Sequence, residues 1–280
     1  FEEFYDHWAP SQEHNLSING GTDKTQYLIS GSFLDQKGLM RHGSDKFQRY
    51  TLNGKITTAV TDWFKVTYST KWTREDFERP TYLTGSFFHN LARKWPVHPA
   101  YDPNGFPMDE GEVEQMENGG KQNSQKDFYT NQLQLVFEPI KNWKINLDGS
   151  VRTTTQYQHW EVLPVYAYNV DGDPYYTVWD MGYGSYAAGS SRVNEYSWKE
   201  NYYTTNIYSD YFKQFDNGHY FKVMAGFNAE LYKTRNITAE KNTLITPGVP
   251  TINTATDDPQ AYGGYADNSV AGFFARVNWS

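Results

Sequence analysis

Acid–base chemistry has ample raw material in this chain, with 33 Asp and Glu and seven His among 280 residues, but their spacing does not assemble it. Carboxylates stand side by side at Glu75/Asp76 and Asp109/Glu110. Adjacent residues of a strand point to opposite faces, and a glycosidase needs its two carboxyls roughly 5 to 10 Å apart across a cleft. The histidines are scattered, with no H-E-x-x-H and no i, i+4 pair to hold zinc. There is no cysteine, which removes thiol catalysis, disulfides and cysteine-ligated metals together. Asp102-Pro103-Asn104-Gly105 and Asp171-Gly172-Asp173 open like calcium loops. The twelfth position, where a bidentate Glu is required, holds Val113 in one and Gly182 in the other. Both therefore read as Asx-type turns. No catalytic residue, metal or cofactor is assigned, and the chain reads as a non-enzyme.

Binding chemistry is better represented. Trp95, Tyr101, Tyr175, Tyr176, Trp179, Tyr183 and Tyr186 fall in long polar stretches where flat amphipathic rings can stack on sugars or meet a partner protein. Packing among themselves accounts for any one of them. As a group they exceed what loop packing needs, and a few are expected to touch cargo or partner.

The elements that must carry these loops are strands. Trp143, Ile145, Leu147, Gly149 and Val151 alternate with Lys144, Asn146, Asp148, Ser150 and Arg152, so the segment has one apolar and one wet face. The same rhythm runs through His14–Gly20, Thr25–Gln36, Phe47–Val60, Phe64–Trp72, Lys126–Glu138, Glu200–Phe215, Tyr220–Tyr232 and Ala271–Trp279. About nine strands and no helix are expected. Connections alternate between tight turns, such as Asp216-Asn217-Gly218-His219, and long loops near 81–125, 164–192 and 236–267. Arg49, Asn53, Lys55, Lys65, Lys71, Lys144, Asp148 and Arg152 fall on the wet face. They are expected to line a wet interior, because basic groups facing lipid cost ~2 to 4 kcal/mol each at the midplane.

Composition narrows the class. Aromatics make up 18% of the residues, led by 23 Tyr, while the mean hydropathy is strongly polar at −0.78. Girdles at a lipid–water boundary would use such residues. A net charge of −8 without a basic cluster argues against nucleic-acid binding. No stretch approaches the ~20 apolar residues of a spanning helix, which leaves a barrel open. Periodicity alone does not separate a barrel from a soluble sandwich with the same alternation, or an active importer from a passive porin. A chain beginning at Phe1, without an initiator Met or a signal h-region, is expected to be a piece of something larger. Nine strands would leave two open edges, whereas bacterial single-chain barrels are even-numbered, so further strands are expected beyond this segment.

His14-Asn15-Leu16-Ser17-Ile18-Asn19-Gly20-Gly21-Thr22-Asp23-Lys24-Thr25-Gln26-Tyr27, continued by Ser30-Gly31-Ser32-Phe33-Leu34-Asp35-Gln36-Lys37-Gly38, resembles the early barrel of SusC/RagA-like TonB-dependent transporters. Those proteins carry an N-L-S-x-x-G-G-T-x-x-x-x-Y hairpin followed by Y/F-L-x-Q-x-G. Phe47–Asn53 is similar to their F-x-R-Y/F-x-x-R/N strand, Pro99–Gly105 to their P-x-Y-D-x-x-G loop element, and Gly272–Ser280 to their F-x-R-x-N-Y strand. The match spans most of the chain and is most specific over its first forty residues.

The resemblance implies an all-β fold, part of a large antiparallel transmembrane β-barrel: about nine strands of a 22-stranded barrel with short periplasmic turns and long extracellular loops. Residues 1–280 would be a fragment of one barrel domain, with plug and remaining strands outside it. The setting implied is the outer membrane of a Gram-negative, Bacteroidetes-type bacterium. The function implied is TonB-dependent import of oligosaccharides with a SusD-like surface lipoprotein, energised by the TonB complex through a plug. Import of oligopeptides, as in the RagA branch, is the alternative within the family. A secreted all-β carbohydrate-binding protein is the alternative outside it. The chain carries no candidate for the plug, the TonB box or a closing aromatic C-terminal strand. Trp63, Trp143 and His219 beside the short turns are expected to mark the periplasmic rim.

Overall fold

The computed structural model describes residues 2–95, 97–108, 112–169, 171–177 and 189–280, and the backbone alone at 179–180 and 185–186. Its frame is one nine-stranded antiparallel sheet in which every pairing but one joins strands consecutive in sequence. The strands are β1 (Ser11–Gly21), β2 (Thr25–Lys37), β3 (Lys46–Thr61), β4 (Phe64–Pro80), β5 (Lys121–Ile140) and β6 (Trp143–Val162). After two short hairpins, β7 (Tyr166–Tyr168) with β8 (Pro174–Tyr176) and β9 (Trp179–Asp180) with β10 (Ser185–Tyr186), come β11 (Arg192–Gln214), β12 (Tyr220–Leu244) and β13 (Ala255–Trp279). β11 pairs directly with β6, so the hairpins between them form an excursion from the sheet.

Register gives the sheet two unlike faces. Rows of cross-strand neighbours run Leu52–Trp72–Tyr129, Ile56–Tyr68–Leu133 and Phe64–Phe137–Ile145. They continue as Val151–Tyr203–Leu231 and Leu147–Ile207–Phe227–Phe273. These side chains share one face and many are solvent-exposed, Ile29 at 60% and Leu52 at 56% among the paired interior strands. An exposed apolar surface this continuous needs another apolar phase against it. On β4, β5 and β11 it runs from Phe64 to Trp72, Tyr129 to Phe137 and Tyr203 to Tyr211. Each run is about nine residues, the length of a tilted membrane-spanning strand, and ends in aromatics on both sides. At the short-turn end Phe64 stacks on Phe137 at 4.5 Å, with Trp63 beside both. His219 lies 5.7 Å from Trp279 on the same rim. The expected aromatic row beside the short turns is present.

Among the described residues, ordinary buried packing is confined to the other end. Phe4, Met40, Tyr82, Leu83, Phe87, Leu91, Val113, Met116, Val162 and Val165 form a core at the long-loop end of the strands. Part of it hangs on α1 (Gly85–Arg93) and α2 (Val113–Asn118), which the reading of the sequence as helix-free missed. α1 buries Phe87 and Leu91 at i, i+4 but has no side-chain cap hydrogen bond at Thr84, so its sequence lacks the usual start signal. Gly120, at φ 106°, turns the chain into β5, where a Cβ would meet the Glu161 carbonyl at 2.5 Å.

Two further expectations are corrected. β12 and β13 extend far past the level of the apolar rows, which reduces the long loop placed at 236–267 to residues 245–254. The connection after β4 is also shorter than expected, because β5 begins at Lys121.

Candidate functional site

The face opposite the apolar rows holds every residue assigned to the wet side. Pairings Leu34–Arg49–Glu75, Asn53–Lys71–Thr130–Arg152 and Lys55–Ser69 place the β3 to β6 members together, and Ala59–Lys65 and Gln134–Asp148 continue the set. Lys144 joins it opposite Asp210. Arg49, Lys71, Glu75 and Arg152 surround a concavity of about 530 Å³ floored by Thr51 and Phe128.

Charge balance on this face is uneven. Arg152 donates to Glu200 at 3.0 Å and lies 5.1 Å from the Tyr202 ring centre, while the Tyr202 hydroxyl donates to Glu230 at 2.6 Å. Asp148 accepts from the Gln132 amide at 2.9 and 3.0 Å, and Asn53 donates to Ser30 at 3.1 Å. Lys144 stands 3.8 Å from Glu138. Arg49, Lys55, Lys65 and Lys71 have no carboxylate within 4.0 Å among the described residues. Reading the sequence did not single out Glu200, Tyr202 or Glu230, and met Glu75 only as the neighbour of Asp76. Their parity matches the wet face, but the partnership needs the cross-strand register.

The aromatic loop residues separate into different environments. Trp95 is 70% exposed and stacks on His98 at 6.5 Å. Tyr101 is drawn into the cap, packing against its core and donating to Glu3 at 2.9 Å. Desolvation, aided by Glu3, pushes its hydroxyl up to about 12. Tyr175 and Tyr176 are exposed on β8, and Tyr176 accepts from Tyr166 at 2.5 Å with the rings 4.3 Å apart. Phe106 stacks on Tyr168 at 4.6 Å, joining this hairpin to the 101–108 loop. Trp179 and Tyr186 are backbone partners across β9 and β10; their side chains, and Tyr183 altogether, lie outside the described residues.

Both suspected calcium loops close as Asx turns. Asp102 Oδ1 accepts from the amides of Asn104 and Phe106, each at 2.8 Å. The second turn is organised from outside the anticipated aspartates: Asn169 Oδ1 accepts from Asp171 and Asp173 at 3.0 and 2.8 Å.

Two ionic knots tie the cap down. His42 sits between Glu117 at 2.6 Å and Glu3 at 3.0 Å, and this hydrogen bonding holds the Glu3 carboxyl below its usual range. His159 bridges Glu161 at 2.8 Å and Glu195 at 2.7 Å. The bond to Glu161, then that to Glu195, raises the imidazole to about 9 against the opposing cost of burial. Glu195 also accepts from Tyr157 at 2.6 Å, which raises that phenol to about 12. His159 and Glu161 share a face at i, i+2, a signal present in the sequence but unused.

An antiparallel sheet with one continuous lipid-type face, one charged face, tight turns on one rim and a built cap on the other is part of a large transmembrane β-barrel, with the fold of a TonB-dependent transporter. The chain superposes on the RagAB peptide importer in its closed-closed state with a TM-score of 0.79 and 16% identity, over 99% of this chain and 31% of that one. Against the RagAB peptide transporter the values are 0.78, 16%, 99% and 31%, and against the open-open state 0.75, 17%, 100% and 30%. The chain thus spans about a third of the length of these solved chains. No protein-family model and no curated protein matches the sequence.

Proposed function

We propose that this chain forms part of the wall of an outer-membrane, TonB-dependent active importer of oligomeric nutrients, with no catalytic role. The observation that carries the reading is the two-faced sheet: exposed apolar rows bounded by aromatics on one side and a charged, concave face on the other. The apolar rows would meet lipid. Arg49, Asn53, Lys55, Lys65, Lys71, Lys144, Asp148 and Arg152 would face the lumen or a plug. β1 and β13 end the sheet with unpaired edges, which a bilayer does not tolerate, so further strands and the plug that engages the TonB complex would lie outside these residues.

The short turns would be periplasmic and the cap extracellular, where a SusD-like lipoprotein would meet it. Exposed rings at Trp95, Tyr175 and Tyr176 suit oligosaccharide cargo, with Trp179, Tyr183 and Tyr186 as further candidates and Tyr101 as a support from within the cap. A second reading, oligopeptide cargo, draws on the likeness to the RagAB peptide importer and on the unpaired cations of the inner face, which suit peptide carboxylates.

Fractionation of the full-length protein from its native host, followed by pull-down, tests the proposal. It should be recovered in the outer membrane with a surface lipoprotein attached; recovery as a soluble monomer overturns it. Uptake of labelled oligosaccharide and peptide pools by cells with and without the gene then separates the two cargoes.

A further inference from the structure

On the outward face just beyond the aromatic rows, one patch is charged out of balance. Starting from the row Val151–Tyr203–Leu231, register stacks Thr153–Asn201–Lys233–Asp267 and then Thr155–Lys199–Arg235–Tyr265 toward the cap. Lys199 and Arg235 are therefore directly opposite each other on neighbouring strands, with Lys233 on the same face two residues away. Facing residues of this kind bring their Cβ atoms to roughly 5 Å, and like charges so placed repel.

Among the described residues no carboxylate lies within 4.0 Å of Lys199 or Arg235. Lys233 alone has one, Asp267 at 4.0 Å. The nearest acid above, Glu195, is committed to His159 and Tyr157, and Glu200 points to the inner face with Arg152. Elsewhere at comparable height the outward cations are matched: Arg74 is bidentate on Asp127 at 2.9 Å, Lys46 lies 3.9 Å from Glu78, and Lys37 lies 2.8 Å from Asp6. All three residues of the patch are exposed.

The height of the patch identifies what meets it. At about 3.3 Å per residue and a tilt near 40°, Lys233 stands ~5 Å, and Lys199 and Arg235 ~10 Å, beyond the aromatic row. That is the depth of the headgroup layer, and long basic side chains reach back toward it. We infer that Lys199, Lys233 and Arg235 form a binding site for the phosphate of an anionic lipid in the leaflet on the cap side of the barrel, lipid A being the phosphorylated lipid of an outer-membrane outer leaflet. The phosphate would bridge the Lys199–Arg235 pair and remove its repulsion, with the acyl chains lying along Tyr203, Leu231 and Ile207. The inference rests on the lipid-facing reading above.

The test uses the full-length protein in detergent, titrated with lipid A and with dephosphorylated lipid A and read by native mass spectrometry. Wild type should form a lipid A adduct and should disfavour the dephosphorylated form. In K199Q/R235Q the adduct should weaken roughly 30-fold, about fivefold for each cation lost near a charged surface. K55Q/K71Q, an equal loss of charge on the inner face, should leave it intact. Equal adducts for both lipids, an unchanged K199Q/R235Q or an equal loss in K55Q/K71Q overturns the inference. Displacement of the lipid by millimolar sodium phosphate alone would overturn the lipid as the source. Recovery from the outer membrane without phosphate preference defeats this inference only, whereas recovery as a soluble protein defeats the reading beneath it.

Discussion

Below the aromatics Trp72, Tyr129 and Tyr203 the strands bury no large apolar side chain among the described residues, whereas above them a core closes around Phe87 and Met116, at 0% and 1% exposure. The same strands pass through both regions. In the lower one, the interior strands are laddered on both sides and the apolar side chains point outward, so cohesion comes from hydrogen bonds and from the surrounding apolar phase. In the upper one, water surrounds the chain and burial must be built within it, from the N-terminal segment, the 38–45 turn, two short helices and the end of β6. The contrast teaches that one apolar side chain has opposite meanings a few residues apart along a strand: exposed Leu133 belongs to the fold's contact with its solvent, buried Val162 to an ordinary core.

The sharpest way to break this contrast is to remove the centre of the cap. Phe87→Ala deletes a fully buried ring that meets Phe4 at 5.2 Å and Tyr82 at 6.1 Å, and should cost the cap ~3 to 5 kcal/mol. Hydrogen exchange should rise in α1 and α2 while amides of the band in β4 to β6 stay protected. Simultaneous loss of protection in both regions would show that they are one cooperative unit. A polar change in the band should come next. Leu133→Arg, level with Ile56 and Tyr68, should cost ~2 to 4 kcal/mol in folding measured from urea into bilayers. Trp95→Arg, at an exposed position of the cap, should stay within ~0.5 kcal/mol.

The two regions were also unequally legible in sequence. Alternation of Leu16 and Ile18, or of Ile145, Leu147 and Val151, marks strands because lipid and lumen impose a period of two. Where β12 and β13 leave the membrane, both faces are wet, and Asn236–Leu244 and Ala255–Asp267 lose the alternation while keeping the hydrogen-bond ladder. By sequence alone they therefore resemble loop. α1 was hidden by brevity and an uncapped start. The cap core was out of reach because Phe4, Met40, Phe87 and Val162 meet only through tertiary folding. For the candidate site, parity sufficed to put Arg49, Lys71 and Arg152 on one face. Pairing Arg152 with Glu200 needed register, and drawing Tyr101 into the cap needed the whole fold.

A pH titration sharpens the comparison from the cap side. His159 has its folded pKa raised from 6.5 to about 9 by Glu161 and Glu195. Its contribution is complete below the unfolded value, shrinks as pH rises from 6.5 and is gone above about 9. Protection factors, exchange rates taken relative to the intrinsic rate at each pH, should therefore fall at the ends of β6 and β11 between pH 7 and pH 9.5 while those of the band in the same strands are unchanged. His159→Gln should flatten that dependence, and persistence of the slope in this variant would assign it to another group.

The smallest expected effect tests the two faces at a single step along the chain. Lys55 and Ile56 are sequence neighbours on opposite faces, Lys55 beside Ser69 and Ile56 beside Tyr68. Lys55 has no carboxylate within 4.0 Å among the described residues. Lys55→Gln exchanges one hydrated group for another and should change bilayer folding by less than ~0.5 kcal/mol. Ile56→Lys moves a charge by one residue onto the outward face and should cost several-fold more, ~2 to 4 kcal/mol at this depth. Equal costs would mean that β3 is wet or dry on both faces, and the division of the sheet into a lipid side and a lumen side would fail at its centre.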